Sequence, residues 1–198
     1  MKLNFIEYWL MNNPLRGVIQ KKYEMKNLKN FSELKQNQKV LEVGCGQGVG
    51  AQLIIQNFLP SEYHGIDLDE KMIQRAQKKG IKGTLFQAAS VTDLPFDDGY
   101  FDAVIDFGVI HHVPNWQDAL QEIKRVLKPG GEFLFEDLSS DTWKYGLGKP
   151  LKKVLEHPYE AMFSTQDFIN KLKEQGLSVQ YEEKSILGLK HFFGMANK

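Results

Sequence analysis

At 198 residues, with 42% hydrophobic and 25% charged residues, the chain has the composition of an ordinary globular protein large enough to enclose a substantial core. Its 25 basic and 25 acidic residues cancel, so no chain-wide field favours nucleic acid or an anionic membrane, and no nucleic-acid partner is expected. A lone cysteine, Cys45, excludes an internal disulfide and a multi-cysteine metal site; with no apolar run of membrane-spanning length and no secretory-leader pattern, a cytoplasmic location is expected.

In chain order, Leu3, Ile6 and Leu10 share a helical face with Phe5 and Trp9 beside it, and Asn13-Pro14 starts a second helix running to about Asn27. Alternating elements follow. A strand at 38–43 ends in Glu42 and Val43, then Gly44, Gly46 and Gly48 occupy every second position before a helix at 48–58. A strand at 62–67 leads to a helix at 70–79, stopped by Gly80, and a short strand lies near 83–87. A strand at 101–107 precedes a helix at 116–127, for which Asn115 and Asp118 resemble a capping pair. Lys128-Pro129-Gly130-Gly131 ends that helix, and a strand at 132–137 follows. The alternation specifies a doubly wound, Rossmann-like α/β sheet. Residues 138–163 lack periodicity; beyond them Ser164 and Asp167 cap a helix ending at Gly176, and strands at 177–184 and 189–196 form a hairpin through Gly188.

The glycine loop after the first strand reads E-x-G-x-G-x-G, and Val49 stands where a dinucleotide fingerprint has its third glycine, which disfavours an NAD-dependent oxidoreductase. This pattern resembles motif I of the class I S-adenosylmethionine (SAM)-dependent methyltransferases. Leu94-Pro95-Phe96 with Phe101-Asp102-Ala103-Val104, and Val126-Leu127-Lys128-Pro129-Gly130-Gly131, resemble further segments of that family in the right order, so the resemblance covers about residues 38–137. Within the superfamily it resembles the ubiquinone/menaquinone-biosynthesis-type, small-molecule branch. The resemblance implies a seven-stranded, mostly parallel sheet with an antiparallel last strand. It also implies one domain over 1–198, made of N-terminal helices (1–37), a cofactor-binding core (38–137) and an acceptor-side lid with a C-terminal helix and hairpin (138–198).

It implies a site as well. Asp67 lies 19 residues beyond Gly48, near the offset at which a carboxylate takes two ribose hydroxyls. Gly44 and Gly46 admit the cofactor close to the backbone, and Glu42 attracts its ammonium directly or through water, or else fixes the loop through backbone N–H groups. Leu68 forms an adenine wall. Ser90 stands where the family commonly has an acidic adenine contact, with the Val91 N–H beside it. Phe107 offers a backbone carbonyl to the amino-acid tail, and Arg16 is a candidate for its carboxylate. Met72 and the small Cys45 are packing residues.

The sulfonium methyl is already activated, so transfer needs an in-line nucleophile more than covalent help, and a base only where the acceptor must lose a proton. His111, with His112 beside it, follows the fourth strand and is the candidate base; a two-histidine metal site is disfavoured because adjacent side chains usually diverge, and no metal is expected. Tyr8, Trp9, Tyr23, Trp143 and Tyr145 suit the roof of an apolar acceptor pocket, braced by His157-Pro158 and Phe163. The expected activity is methyl transfer from SAM, leaving S-adenosylhomocysteine, to a small, partly apolar molecule. A SAM-binding interaction module without turnover and a protein methyltransferase are the alternatives.

Overall fold

A computed structural model of the chain describes residues 20–144, 148–152, 158–186 and 189–198. Seven strands form one sheet: β1 Lys39–Val43, β2 Glu62–Asp67, β3 Thr84–Ala88, β4 Phe101–Phe107, β5 Leu127–Leu138, β6 Ser178–Ile186 and β7 Leu189–Asn197. Their order is β3-β2-β1-β4-β5-β7-β6; β1 to β5 pair in parallel, and β7 runs antiparallel to both neighbours. This is the doubly wound architecture with the antiparallel last strand that the sequence implied.

Apolar runs on both faces explain the layering. Consecutive residues of β1 alternate, so Val40 joins one core and Leu41 the other. Under one face lie α1 (Met25–Phe31), through Met25 and Leu28, and α2 (Val49–Phe58), through Ala51, Leu53, Ile54 and Phe58. The other face receives α4 (Trp116–Val126), through Ala119, Leu120 and Ile123, and α6 (Thr165–Glu174), through Phe168, Ile169 and Leu172. Helix α3 (Glu70–Lys78) packs on β2 and β3, and a short α5 (Gly148–Leu151) lies beyond β5. No helix among the described residues is long and apolar enough to cross a membrane.

Several boundaries move. The N-terminal helix continues past Asn27 to Phe31, entered through a π-helical turn at Gln20–Glu24. Strand β3 begins at Thr84 because Gly83 holds φ +78°, and β6 extends to Ile186. Helix α4 ends at Val126, and Leu127 already pairs with Phe101; Lys128-Pro129-Gly130-Gly131 is an irregular stretch of β5 with a register shift, rather than a turn before a strand at 132. Asn115 does not cap α4 through the backbone; its amide donates to the Asp118 carboxylate at 2.9 Å. Asp69 and Ser164 do cap α3 and α6, the latter in a reciprocal capping box with Asp167. The helix proposed over residues 3–12 and the turn at Gly188 lie outside the described residues, as do Arg16, Tyr8, Trp9, Tyr145 and His157.

Candidate cofactor and acceptor site

The order of the strands reverses direction between β1 and β4, which opens a crevice at their carboxyl ends, the place where such sheets receive ligands. Gly44, Gly46 and Gly48 carry φ of +67°, +51° and +79°, the left-handed region that residues with a Cβ avoid. Two of them serve different ends. A Cβ at Gly44 would collide with the Val109 side chain at 2.4 Å, so the loop packs directly on the segment after β4. A Cβ at Gly46 would meet nothing within 4 Å, so this part of the loop faces open space.

Asp67 ends β2 beneath that space. Its Oδ2 accepts from the Gly46 N–H at 2.9 Å and its Oδ1 from the Asp69 N–H at 2.8 Å. One carboxylate therefore ties the glycine loop to the start of α3, and each oxygen retains a second lone pair for a hydroxyl donor. Burial raises the Asp67 carboxyl, and those two N–H donors oppose the rise. Leu68, 56% exposed, stands beside it. Glu42 is buried, but its carboxyl does not reach the loop's N–H groups. It accepts from the Tyr63 hydroxyl and lies against Gly50. Burial pushes Glu42 up to about 8, opposed by the Tyr63 hydrogen bond and reinforced by the charge of Asp67.

Ser90 shares a hydrogen bond with the Thr92 hydroxyl at 2.7 Å and accepts the Thr92 N–H at 3.2 Å, so its side chain shapes the turn before Leu94. Val91 packs partly buried against the core, and the Phe107 ring is buried on the α2 side. Cys45 is buried, its thiol raised by that burial, and its N–H donates to Ile66; it is a packing residue. Met72 is likewise buried in α3.

After β4, Gly108 turns the chain at φ +76° into a 3-10 turn at Ile110–His112. His111 is buried; its backbone N–H donates to Asp137 Oδ2 at 3.1 Å and its ring Nδ1 bonds Asp137 Oδ1. The His111 and His112 rings do not diverge: their centroids are 4.1 Å apart. Among the described residues no group of three or more His, Cys, Asp or Glu is arranged to hold a metal ion. Of the proposed roof, Tyr23 is 52% exposed, whereas Trp143 is buried with Tyr159 edge-on to it. Phe163 lies in the core against Trp116 and Phe168, a packing position instead of a lid brace.

Three groups went unassigned from the sequence. Tyr63 lies within β2, and its bond to Glu42 spans β1 and β2. Asp137 lies one residue before the end of β5; its signal is Glu136-Asp137 closing the apolar run Phe133-Leu134-Phe135 at the carboxyl end of a strand. Arg125 of α4 clamps the 94–98 segment, donating to the carbonyls of Leu94 and Phe96 and to Asp98.

Residues 41–135 match the methyltransferase domain family. Among curated proteins the chain is similar to the fatty-acid O-methyltransferase of Mycolicibacterium smegmatis, 41% identical over 103 residues, covering 52% of this chain and 38% of that protein. It is also similar to phthiotriol/phenolphthiotriol dimycocerosates methyltransferase 1 of Mycobacterium ulcerans, 34% identical over 129 residues, covering 62% of this chain and 48% of that protein. The chain thus spans half the length or less of these two relatives. A SAM-dependent methyltransferase structure from Aquifex aeolicus superposes with a TM-score of 0.75 at 22% identity, covering 99% of each chain, and shares the fold.

Proposed function

We propose that residues 41–135, which match the methyltransferase domain family, form a class I SAM-dependent methyltransferase domain, and that the chain transfers a methyl group from SAM to a small, partly apolar acceptor. The observation that carries this reading is the glycine loop. Gly46 leaves open space above a carboxylate, Asp67, that is already oriented by two backbone N–H groups. A nucleoside with two vicinal hydroxyls fits such an acceptor-only group.

In this reading Asp67 holds the ribose, Gly44 and Gly46 let the ligand approach the backbone, and Leu68 lies along the base. Ser90 and Val91 border the adenine, and the Phe107 carbonyl faces the amino-acid tail. Glu42, set behind the loop, acts on the tail's ammonium through water. When bound, SAM supplies an activated methyl carbon on a positively charged sulfur. The protein's own contribution is to align the acceptor and exclude water, for which positioning alone is worth about 7–11 kcal/mol. The names of these two relatives carry a fatty acid and phthiotriol/phenolphthiotriol dimycocerosates as acceptors, which supports an acceptor with an apolar part. The domain boundaries 1–198 and the cytoplasmic location belong to the same proposal.

Isothermal titration calorimetry with SAM, S-adenosylhomocysteine and NAD tests it. Binding of the first two and not the third is expected. A folded protein that binds neither SAM nor its product would remove the proposal.

A further inference from the structure

The carboxyl ends of β4 and β5 enclose three carboxyl groups, Asp106, Glu136 and Asp137, each no more than 2% exposed. Glu136 pairs with His191 of β7. Asp106 Oδ1 accepts the Val109 N–H at 2.9 Å, while its Oδ2 has no hydrogen-bond partner among the described residues. Asp137 collects donors: the Leu138 N–H at 2.7 Å, the His111 N–H at 3.1 Å and the His111 ring. Burial first, and the charge of a neighbouring carboxyl next (Asp137 beside Asp106, Glu136 beside Asp137), push both Asp106 and Asp137 well above the usual carboxylate range, while the Leu138 and His111 N–H groups oppose the rise at Asp137. The His112 ring lies against that of His111, tilted by 37°.

A carboxylate bonded to one imidazole nitrogen holds the proton on that nitrogen and makes the other the basic one. The glycine loop reaches this group through the contact of Gly44 with Val109, two residues before His111. Resting on the proposed methyl transfer, we infer that Asp137 is a positioning residue that fixes the proton of His111 on Nδ1 and makes Nε2 the proton acceptor, and that the methyl acceptor is a neutral hydroxyl compound.

Of a carboxylate, an amine and a hydroxyl, the hydroxyl is the acceptor that uses this arrangement. A carboxylate acceptor arrives ionised, needs no base and would stand beside three buried carboxyl groups. A neutral amine attacks through its lone pair with its proton lost afterwards. A hydroxyl keeps its proton until attack. As its oxygen forms the bond to the methyl carbon, the proton passes to His111 Nε2 and the carbon–sulfur electron pair leaves with sulfur as a neutral thioether. Asp137 stabilises the resulting imidazolium.

Nitrogen NMR of the full chain, labelled at histidine and assigned by the loss of one spin system in His111→Gln, reads the tautomer directly. The Nδ1-protonated signature is expected in the wild type; the Nε2-protonated one overturns the inference without any variant. With SAM and a long-chain alkylphenol as probe acceptor, Asp137→Asn is expected to lower kcat about 10²-fold or more with the KM for SAM little changed. An unchanged kcat, or palmitate methylated in preference to the alkylphenol, overturns it. Calorimetry with S-adenosylhomocysteine on the same wild-type sample separates the two levels. Absent binding sinks the proposed function, whereas intact binding with the wrong tautomer sinks this inference alone.

Discussion

Glu42 occupies the volume that a side chain on Gly50 would need: a Cβ built there lies 1.9 Å from Glu42 Oε1 and 2.8 Å from its carboxyl carbon. A glycine in the first turn of α2 is therefore a consequence of a carboxyl buried behind β1. Alanine normally gains roughly 1 kcal/mol over glycine inside a helix. Here the overlap reverses the sign, and Gly50→Ala is expected to lose about 1–3 kcal/mol, the usual range for overpacking. Urea unfolding of both proteins measures it, and a variant as stable as the wild type would show that Glu42 relaxes away without cost.

The same carboxyl makes stability depend on pH. Glu42 ionises near 4.5 in an unfolded chain and at about 8 in the native one, chiefly because burial penalises its charge. Between those values the native state holds a proton that the unfolded state has released, so the stability Glu42 contributes is complete at low pH and falls as pH rises toward 8. Each unit of that interval is worth about 1.4 kcal/mol. Glu42→Gln keeps a neutral acceptor for the Tyr63 hydroxyl and removes the titration. Its stability relative to wild type should therefore improve steadily across this interval. Two parallel stability–pH curves would place the titrating group elsewhere.

How much of this was legible in the chain depends on whether the cause was local. Strand β4 follows from a short apolar run, and Asp69 and Ser164 announce helix starts because their partners lie two and three residues on. The glycine loop and Asp67 were legible because glycine spacing and one acidic offset carry the geometry. Leu127 was misplaced because Lys128-Pro129-Gly130-Gly131 has the composition of a turn, and only pairing with Phe101 draws it into β5. The pairs Glu42–Tyr63 and His111–Asp137 are separated by 21 and 26 residues, so strand register decides them and no local pattern reports them.

Asp67 should be felt in ligand affinity more than in folding. Asp67→Ala removes the acceptors of the Gly46 and Asp69 N–H groups together with the two proposed ribose contacts. Hydrogen bonds to a charged group are worth about 1.5–3 kcal/mol each, so affinity for S-adenosylhomocysteine should fall at least tenfold. Far-ultraviolet circular dichroism should stay that of the folded sheet. Equal affinity in calorimetry would take Asp67 out of the ribose site and leave it as a loop brace.

Arg125 sets the position of the 94–98 segment, and its planar fork explains why. Nε and Nη2 bind the two oxygens of Glu122 at 2.7 and 2.8 Å, Nη2 also donates to the Leu94 carbonyl at 2.9 Å, and Nη1 donates to the Phe96 carbonyl and Asp98 at 2.7 and 2.8 Å. Glu122 in turn accepts the Leu94 N–H at 2.8 Å, so the 94–98 segment is held from α4 by both side chains. A lysine carries the charge but only one donor atom, and it cannot span a carboxylate and two carbonyls at once. Arg125→Lys is therefore expected to cost about 1–2 kcal/mol, reduced from the value of several charged hydrogen bonds because the guanidinium is partly exposed. Amide hydrogen exchange should quicken at the Leu94 N–H while the β1 amides stay protected. Unaltered exchange at Leu94 would mean that Glu122 holds the turn without the arginine.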